Sequence, residues 1–152
     1  MTTIRWMIKA DMARVLEIER ASFDNPWSMD TFLACLGTRW CVGNVVESHD
    51  GEVVGFMIYE LQKGRIELVA IAVCPECRRQ GIGSQMIQRL IAKLTEQRRH
   101  ELIVNVREAN LDTHLFLRSQ GLRATEVLRD YYDDPTEDCY TFAYRLRERV
   151  VG

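Results

Sequence analysis

The chain has 152 residues, 47% of them hydrophobic and 28% charged, with a formal net charge of -2 at pH 7. This composition predicts one globular domain spanning 1–152, and it lacks the run of about 18 apolar residues that would suggest a membrane protein. The charge argues against nucleic acid as the main partner, and five irregularly spaced cysteines argue against a disulfide framework and favour a reducing cytoplasm.

Hydrophobic periodicity predicts elements in the order β-α-α-β-β-β-α-β-α-β-β. In chain order they are strand 4–8, helix 10–23, helix 28–36, strands 41–47, 53–61 and 66–73, helix 83–98, strand 101–107, helix 111–120, and strands 123–131 and 138–146, the last two flanking an acidic loop at 130–135. The order predicts the α/β class, with a mixed sheet of six to seven strands and about four helices packed on both faces. We expect a monomer or a homodimer.

Local signals mark the ends of several elements. Ser28 is a good helix N-cap, and Trp27 and Phe32 stand at the two positions of a hydrophobic staple. Asn110 can cap the helix that follows it, and Asp50-Gly51 between two apolar runs predicts a tight hairpin.

The most informative stretch joins the strand at 66–73 to the helix at 83–98. It reads Cys74-Pro75-Glu76-Cys77-Arg78-Arg79-Gln80-Gly81-Ile82-Gly83-Ser84. Gly81 and Gly83 have no side chain to hold an anion away from the backbone, and the N–H groups of the helix's first turn point at such an anion. Because Arg78 and Arg79 add positive charge, the stretch predicts a pyrophosphate site.

Two other interpretations of this stretch are weaker. Residues 80–84 lack the lysine-serine/threonine ending of a P-loop, which argues against a nucleoside triphosphate. Cys74 and Cys77 form a C-x-x-C, but the sequence offers no second ligand pair and no nearby histidine for zinc. We therefore expect no metal, and an ordinary connecting role for the two cysteines.

The chain resembles the GNAT superfamily of acyl-CoA N-acyltransferases over nearly its whole length. Residues 79–84, Arg-Gln-Gly-Ile-Gly-Ser, fit the family's Q/R-x-x-G-x-G/A acetyl-CoA signature. Within the superfamily the chain is similar to the RimI type, the ribosomal-protein alanine N-acetyltransferases. The residues that carry this similarity are Pro26-Trp27-Ser28 with Phe32, Ile71-Ala72-Val73, Val106-Arg107 with Asn110, Ser119-Gln120-Gly121-Leu122, and Tyr131-Tyr132.

The resemblance implies a binding site for acetyl-CoA as cosubstrate. Its ligands would be the main-chain groups of Ile71, Ala72 and Val73, the residues from Arg78 and Arg79 through Gln80, Gly81, Ile82, Gly83 and Ser84, and Asn110. Trp27, Asn105 and Tyr131 would contact the acceptor amine. Two departures stand out, because RimI-type enzymes place a glutamate base where this chain has Asn105, and a tyrosine acid where it has Leu117.

Other residues must then supply the acid and the base. Other GNAT branches place a catalytic glutamate where this chain has Glu67, and a partly desolvated carboxylate there would gain basicity. Alternatively, Glu67 is solvent-exposed or paired with Arg65 or Lys63. Tyr132 and Tyr131 are the candidates for protonating the leaving thiolate, or they are ordinary strand and turn aromatics.

Three functions remain open at this point. The first is acetyl transfer to a protein N-terminal α-amine by direct attack in a ternary complex. This acceptor is preferred because an α-amine, with a pKa of about 7.7–8, can be deprotonated by a weaker base than a lysine with a pKa of about 10.4. The second is acetylation of a small-molecule amine. The third is a catalytically weak domain that binds acyl-CoA as a regulatory ligand.

Overall fold

The computed structural model describes residues 2–133 and 135–146. Within them lie seven strands and four α-helices in the expected order: β1 (Thr2–Trp6), α1 (Met12–Ser22), α2 (Met29–Leu36), β2 (Cys41–Ser48), β3 (Val53–Gln62), β4 (Arg65–Val73), α3 (Ile82–Glu96), β5 (Glu101–Arg107), α4 (Leu111–Ser119), β6 (Arg123–Asp133) and β7 (Thr136–Arg145). Short 3-10 turns at Lys9–Asp11 and Pro75–Cys77 precede α1 and α3. Among these residues, no helix is both long and apolar enough to cross a membrane.

The strands form one mixed seven-stranded sheet in the order β1-β2-β3-β4-β5-β7-β6. Pairing is antiparallel between β1 and β2, β2 and β3, β5 and β7, and β6 and β7. The β5–β7 register sets Asn105 opposite Thr141 and Arg107 opposite Cys139. The architecture confirms the predicted fold class and the strand count.

The prediction of an acidic loop at 130–135 is wrong for most of that range. Strand β6 continues to Asp133, and the ladder with β7 pairs Tyr132 with Glu137. The register shifts between Leu128 and Tyr132, and Asp130 within this shift has a φ of +52°. A bulge of this kind accommodates polar residues without ending the strand. The alternation of apolar and polar residues in the sequence does not reveal such a bulge. Asp134 lies outside the described residues.

Helix α1 also begins later than expected, at Met12 instead of residue 10. Asp11 ends the preceding 3-10 turn, and its carboxylate accepts the N–H of Ile8 at 2.8 Å and both terminal nitrogens of Arg5 at 2.9 Å. Since these hydrogen bonds hold the backbone in the tighter turn, the first helical residues do not join the α-helix.

Internal contacts divide the chain into two compact units. Unit 1 runs from the N-terminal strand to Leu61 and includes Leu68–Ile87; unit 2 comprises Gln62–Glu67 and the described residues from Gln88 onward. A single domain over 1–152 therefore stays a prediction.

The core of unit 1 forms around Phe32 of α2, which is fully buried. Its ring lies 5.1 Å from that of Trp27 and 5.7 Å from that of Phe56, centroid to centroid. The Ser28 Oγ accepts the N–H of Thr31 at 3.2 Å. Both the predicted N-cap and the predicted staple are thus present, and burying Phe32 contributes about 1.5–3 kcal/mol of hydrophobic free energy.

The segment between α1 and α2 is held by a buried carboxylate. Glu19 is 3% exposed, and its Oε2 accepts the N–H of Trp27 at 2.9 Å. Its Oε1 has no hydrogen-bond partner among the described residues. Burial raises the pKa of Glu19, because water is excluded from the charged form.

This raised pKa makes the stability of the protein depend on pH. A carboxyl whose pKa is higher in the folded state favours folding below its unfolded value of 4.5, and this contribution is lost as the pH rises through the folded value. We therefore expect Glu19→Gln, which cannot ionise, to gain in free energy of unfolding relative to wild type between pH 4 and pH 7. Urea denaturation at both pH values measures this difference, and Glu96→Gln, on the exposed surface of α3, is the control that should show no such gain. An equal difference at both pH values would contradict the assignment.

Candidate active site

The connection from β4 to α3 in unit 1 is built by main-chain conformation. Beyond β4, the N–H of Cys74 donates to the Val54 carbonyl at 2.8 Å, and the 3-10 turn follows. Arg79 and Gly81 then adopt positive φ values of 66° and 79°. These two left-handed residues reverse the chain so that α3 starts at Ile82. Residues 74–81 are called the anion loop below.

The anion loop leaves space where a ligand would approach the backbone. A Cβ built on Gly81 would have no heavy atom within 4 Å. The Gly81 carbonyl accepts the N–H of Gln85 at 2.9 Å, which closes the first turn of α3. Glycine, open space and a helix N-terminus together fit an anionic group.

The residues of the anion loop and of the first turn of α3 differ in their exposure to solvent. Arg79, Gln80 and Gly81 are exposed, whereas Gly83 and Ser84 are half-buried. Ile82 is buried, and its side chain lies 3.3 Å from a Cβ built on Gly55, so only its main chain can face a ligand.

Arg78 has a structural contact that the sequence did not predict. Its Nε donates to the Val73 carbonyl at 3.3 Å, and its Nη2 donates to the Ser22 Oγ at 3.1 Å. Arg78 therefore links the anion loop to the C-terminal end of α1 through this hydrogen bond. Of the three β4 residues expected to bind through their main chains, Ala72 is buried, and Ile71 and Val73 are half-buried.

Unit 2 places Tyr132 at the centre of a polar cluster. Its hydroxyl donates to the Cys139 Sγ at 3.9 Å, and the Arg107 guanidinium carbon lies 4.0 Å from its ring centroid. Burial is the largest cause of the raised pKa of Tyr132, so the phenol stays protonated at neutral pH. Tyr131 packs edge-on against Tyr132 at 5.0 Å but is 51% exposed.

The Arg107 side chain is fixed by its own partners. It forms a salt bridge of 3.1 Å with Glu137, whose other oxygen accepts the N–H of Ala109 at 2.7 Å. These contacts hold the cation over the Tyr132 ring. Sequence reasoning used Arg107 only as part of a motif and missed Glu137 and Cys139, because the β6–β7 register that places them cannot be read from spacing.

Glu67 belongs to the same unit and is half-buried. Burial chiefly raises the pKa of the Cys139 thiol, and the charge of Glu67 adds to that rise. Glu67 therefore lies within electrostatic range of the sulfur to which Tyr132 donates. Among the charges that raise the pKa of Cys139, Glu126 precedes Glu67, and Tyr132 is the hydrogen-bond donor to its sulfur.

The remaining expected ligands are partly engaged elsewhere. Asn105 accepts the hydroxyl of Thr141 at 2.8 Å, and Asn110 accepts the N–H of Thr113 at 3.3 Å as the N-cap of α4. Each amide retains an NH2 group that can donate to a ligand. Trp27 belongs to unit 1, where its backbone N–H donates to Glu19 and its ring packs against that of Phe32.

The position that RimI-type enzymes give to a tyrosine acid is occupied by a core residue. Leu117 is 1% exposed, so it packs inside unit 2 and carries no group that can donate a proton. His114, on the same helix, donates from its Nε2 to the Arg107 carbonyl at 2.9 Å and packs on Tyr140 and Phe142, so it packs within unit 2.

Comparison with known proteins is consistent with this geometry. Residues 12–122 match the acetyltransferase (GNAT) family. The chain is 30% identical over 138 residues to the [ribosomal protein bS18]-alanine N-acetyltransferase of Escherichia coli K12, covering 91% of this chain and 90% of the relative.

Solved structures agree with the sequence relatives. The crystal structure of the Escherichia coli ribosomal-protein-S18-alanine N-acetyltransferase superposes with a TM-score of 0.85 at 26% identity, over 100% of this chain and 99% of the other. A GNAT family acetyltransferase from Elizabethkingia anophelis, solved with acetyl-CoA bound, shares the fold with a TM-score of 0.77 at 16% identity, over 95% and 98%. The chain therefore belongs to the acetyltransferase (GNAT) family and is an N-acetyltransferase.

Proposed function

We propose that this protein uses acetyl-CoA to acetylate the α-amine of a protein N-terminus, by direct attack of the amine in a ternary complex. The observation that carries the proposal is the open, glycine-bearing anion loop ahead of α3 in a chain of this family. The activity of the Escherichia coli relative, alanine N-acetylation of a ribosomal protein, supports an N-terminal acceptor.

Acetyl-CoA would be held mainly by main-chain groups. The pyrophosphate would lie at the first turn of α3, against the N–H groups near Gly81, Gly83 and Ser84. Exposed Arg79 would add charge, and Asn110 would donate through its amide. The bound group supplies a thioester carbon that an amine can attack.

Glu67 would take the proton from the acceptor amine. An N-terminal amine has a pKa of about 7.7–8, so a carboxylate or an ordered water can deprotonate it without the strong base that a lysine would require. Asn105 cannot act as a base, since an amide has no proton-accepting role of this kind. With Trp27 and Tyr131, its NH2 group would contact the acceptor.

Tyr132 would stabilise the leaving sulfur. The raised pKa of this phenol keeps it protonated, yet makes complete proton transfer to a thiolate of pKa about 8.5 unfavourable. Its role is therefore a hydrogen bond to the sulfur as negative charge develops there, with water supplying the proton afterwards.

The first test is a thiol-release assay with acetyl-CoA and peptides beginning with Ala, Ser, Met or Thr, followed by mass spectrometry of the products. We expect the acetyl group on the peptide α-amine. Peptides with a blocked N-terminus but a free lysine are the control and should give no product. Acetylation confined to spermidine or free amino acids would replace the proposed acceptor with a small amine.

The anion loop is tested by Gly81→Ala. Both Gly81 and Gly51 have positive φ, 79° and 88°, with open space around an added Cβ, so alanine should cost about 1–2 kcal/mol of stability at either site. Only at Gly81 would the methyl group meet the cosubstrate. We expect a Kd for acetyl-CoA at least about tenfold higher for Gly81→Ala, and unchanged for Gly51→Ala, by isothermal titration calorimetry. Equal effects of the two variants would remove the loop from the binding site.

The catalytic assignments are tested by Glu67→Gln and Tyr132→Phe. Each should lower kcat by about 10- to 1000-fold with little change in the Kd for acetyl-CoA, since each group acts on the reacting atoms. Tyr131→Phe is the matched control on the adjacent, more exposed ring, and it should affect KM for the peptide more than kcat. Full turnover by Glu67→Gln would exclude this carboxylate as the base.

A further inference from the structure

The C-x-x-C at the base of the anion loop has no part in the proposed acetyl transfer. Cys74 precedes the Pro75–Cys77 turn, and the Cys77 N–H donates to the Cys74 carbonyl at 2.9 Å. Cys74 and Cys77 are therefore the first and last residues of one hydrogen-bonded turn, whose end Cα atoms lie within about 7 Å of each other. The nearby Cys74 thiol indeed adds to the raised pKa of Cys77, after burial as the main cause.

Cys74 also lies between a cation and a carboxylate. The Arg14 Nη2 donates to its Sγ at 3.0 Å, and its thiol donates to the Glu76 carboxylate. A guanidinium stabilises negative charge on sulfur, and a carboxylate can accept the proton that the thiol gives up. That hydrogen bond is the largest cause of the lowered pKa of Glu76, so the carboxylate is ionised and able to accept.

The two sulfurs differ in accessibility. Cys74 is 3% exposed, whereas Cys77 is half-buried and in reach of solvent. An oxidant therefore meets Cys77 first, and Cys74 is placed to attack the oxidised sulfur. This division of roles is that of a dithiol couple, in which one cysteine reacts and the other resolves.

We propose that Cys74 and Cys77 form a reversible disulfide that weakens cosubstrate binding by the anion loop. With hydrogen peroxide as oxidant, the Cys77 sulfur attacks one peroxide oxygen, an S–O bond forms and the O–O bond breaks; the departing hydroxide takes the Cys77 thiol proton and leaves as water. The Cys74 sulfur then attacks the sulfenic sulfur, an S–S bond forms, and the S–O bond breaks. The proton of Cys74 passes through Glu76 to the departing hydroxide, so two thiols and one peroxide yield one disulfide and two waters.

The anion loop responds because its position depends on these side chains. Disulfide formation draws the Cys74 sulfur away from Arg14 and Glu76. Arg78 directly follows Cys77 and ties the loop to Val73 and Ser22. A shift at Cys77 is thus transmitted to the main chain at Arg79 and beyond. We expect the Kd for acetyl-CoA to rise by about fivefold or more; this effect on binding rests on the proposed function.

The experiment treats the full chain with hydrogen peroxide, blocks remaining thiols with N-ethylmaleimide and maps the disulfides by mass spectrometry. Calorimetry then gives the Kd for acetyl-CoA of the reduced, oxidised and dithiothreitol-rescued protein. A second cysteine pair serves as an internal comparison, since the sulfurs of Cys35 and Cys41 lie 3.1 Å apart. We expect the rise in the Kd for acetyl-CoA to follow the yield of the Cys74–Cys77 disulfide and to be independent of any Cys35–Cys41 disulfide.

Variants separate the two pairs. In Cys77→Ser, peroxide should leave the Kd for acetyl-CoA at the value of the untreated variant, whereas Cys35→Ser should keep the peroxide-induced rise. If Cys77→Ser does not fold, the disulfide map of wild type still decides. A map without the Cys74–Cys77 link, or a Kd that the link leaves unchanged, would overturn the proposal. Reduced wild type that binds no acetyl-CoA would instead defeat the proposed function, while the map alone still decides whether the disulfide forms.

Discussion

The chain reversal between β4 and α3 is the constraint on which the proposed chemistry depends. An α-helix leaves its first N–H groups without internal partners, and they can serve a ligand only if the preceding chain turns aside. Here Arg79 and Gly81 turn it, both with positive φ, and the buried Ile82 anchors the first helical residue in the core of unit 1. Holding a non-glycine residue such as Arg79 in this conformation costs about 1–2 kcal/mol, which the surrounding contacts must offset.

Those contacts come largely from α1. Arg14 donates to the Val53 carbonyl at 3.1 Å and to the Cys74 Sγ, and Ser22 accepts from Arg78. The first helix therefore supports the anion loop at both its base and its middle. Arg14 thus contacts both the main chain of Val53 and the thiol of Cys74 at the base of the anion loop. Oxidation of this thiol would change these contacts, and through them the proposed ligand binding.

In unit 2, Asn105 occupies the strand position that RimI-type enzymes give to a glutamate, and the proposed function therefore assigns the base to another residue. Asn105 is hydrogen-bonded to Thr141 and Leu117 is part of the core, and neither an amide nor an alkyl side chain can serve as acid or base. Tyr132 is the hydrogen-bond donor to Cys139, and the charges of Glu126 and Glu67 add to the raised pKa of this thiol. Desolvation governs this cluster: it raises the pKa of both the phenol and the thiol, and so keeps both protonated.

Local signals in the sequence determined much of the molecule. The caps at Ser28 and Asn110, the Trp27–Phe32 staple and the glycines of the anion loop act over a few residues, so their spacing alone predicts them. The order of elements and the family resemblance followed from such features. Only the tertiary structure decided the length of β6, the contact of Arg78 with Ser22, and the hydrogen bond of Tyr132 to Cys139. These depend on strand register and on burial, which are properties of the assembled sheet and core and leave no periodic trace in the chain.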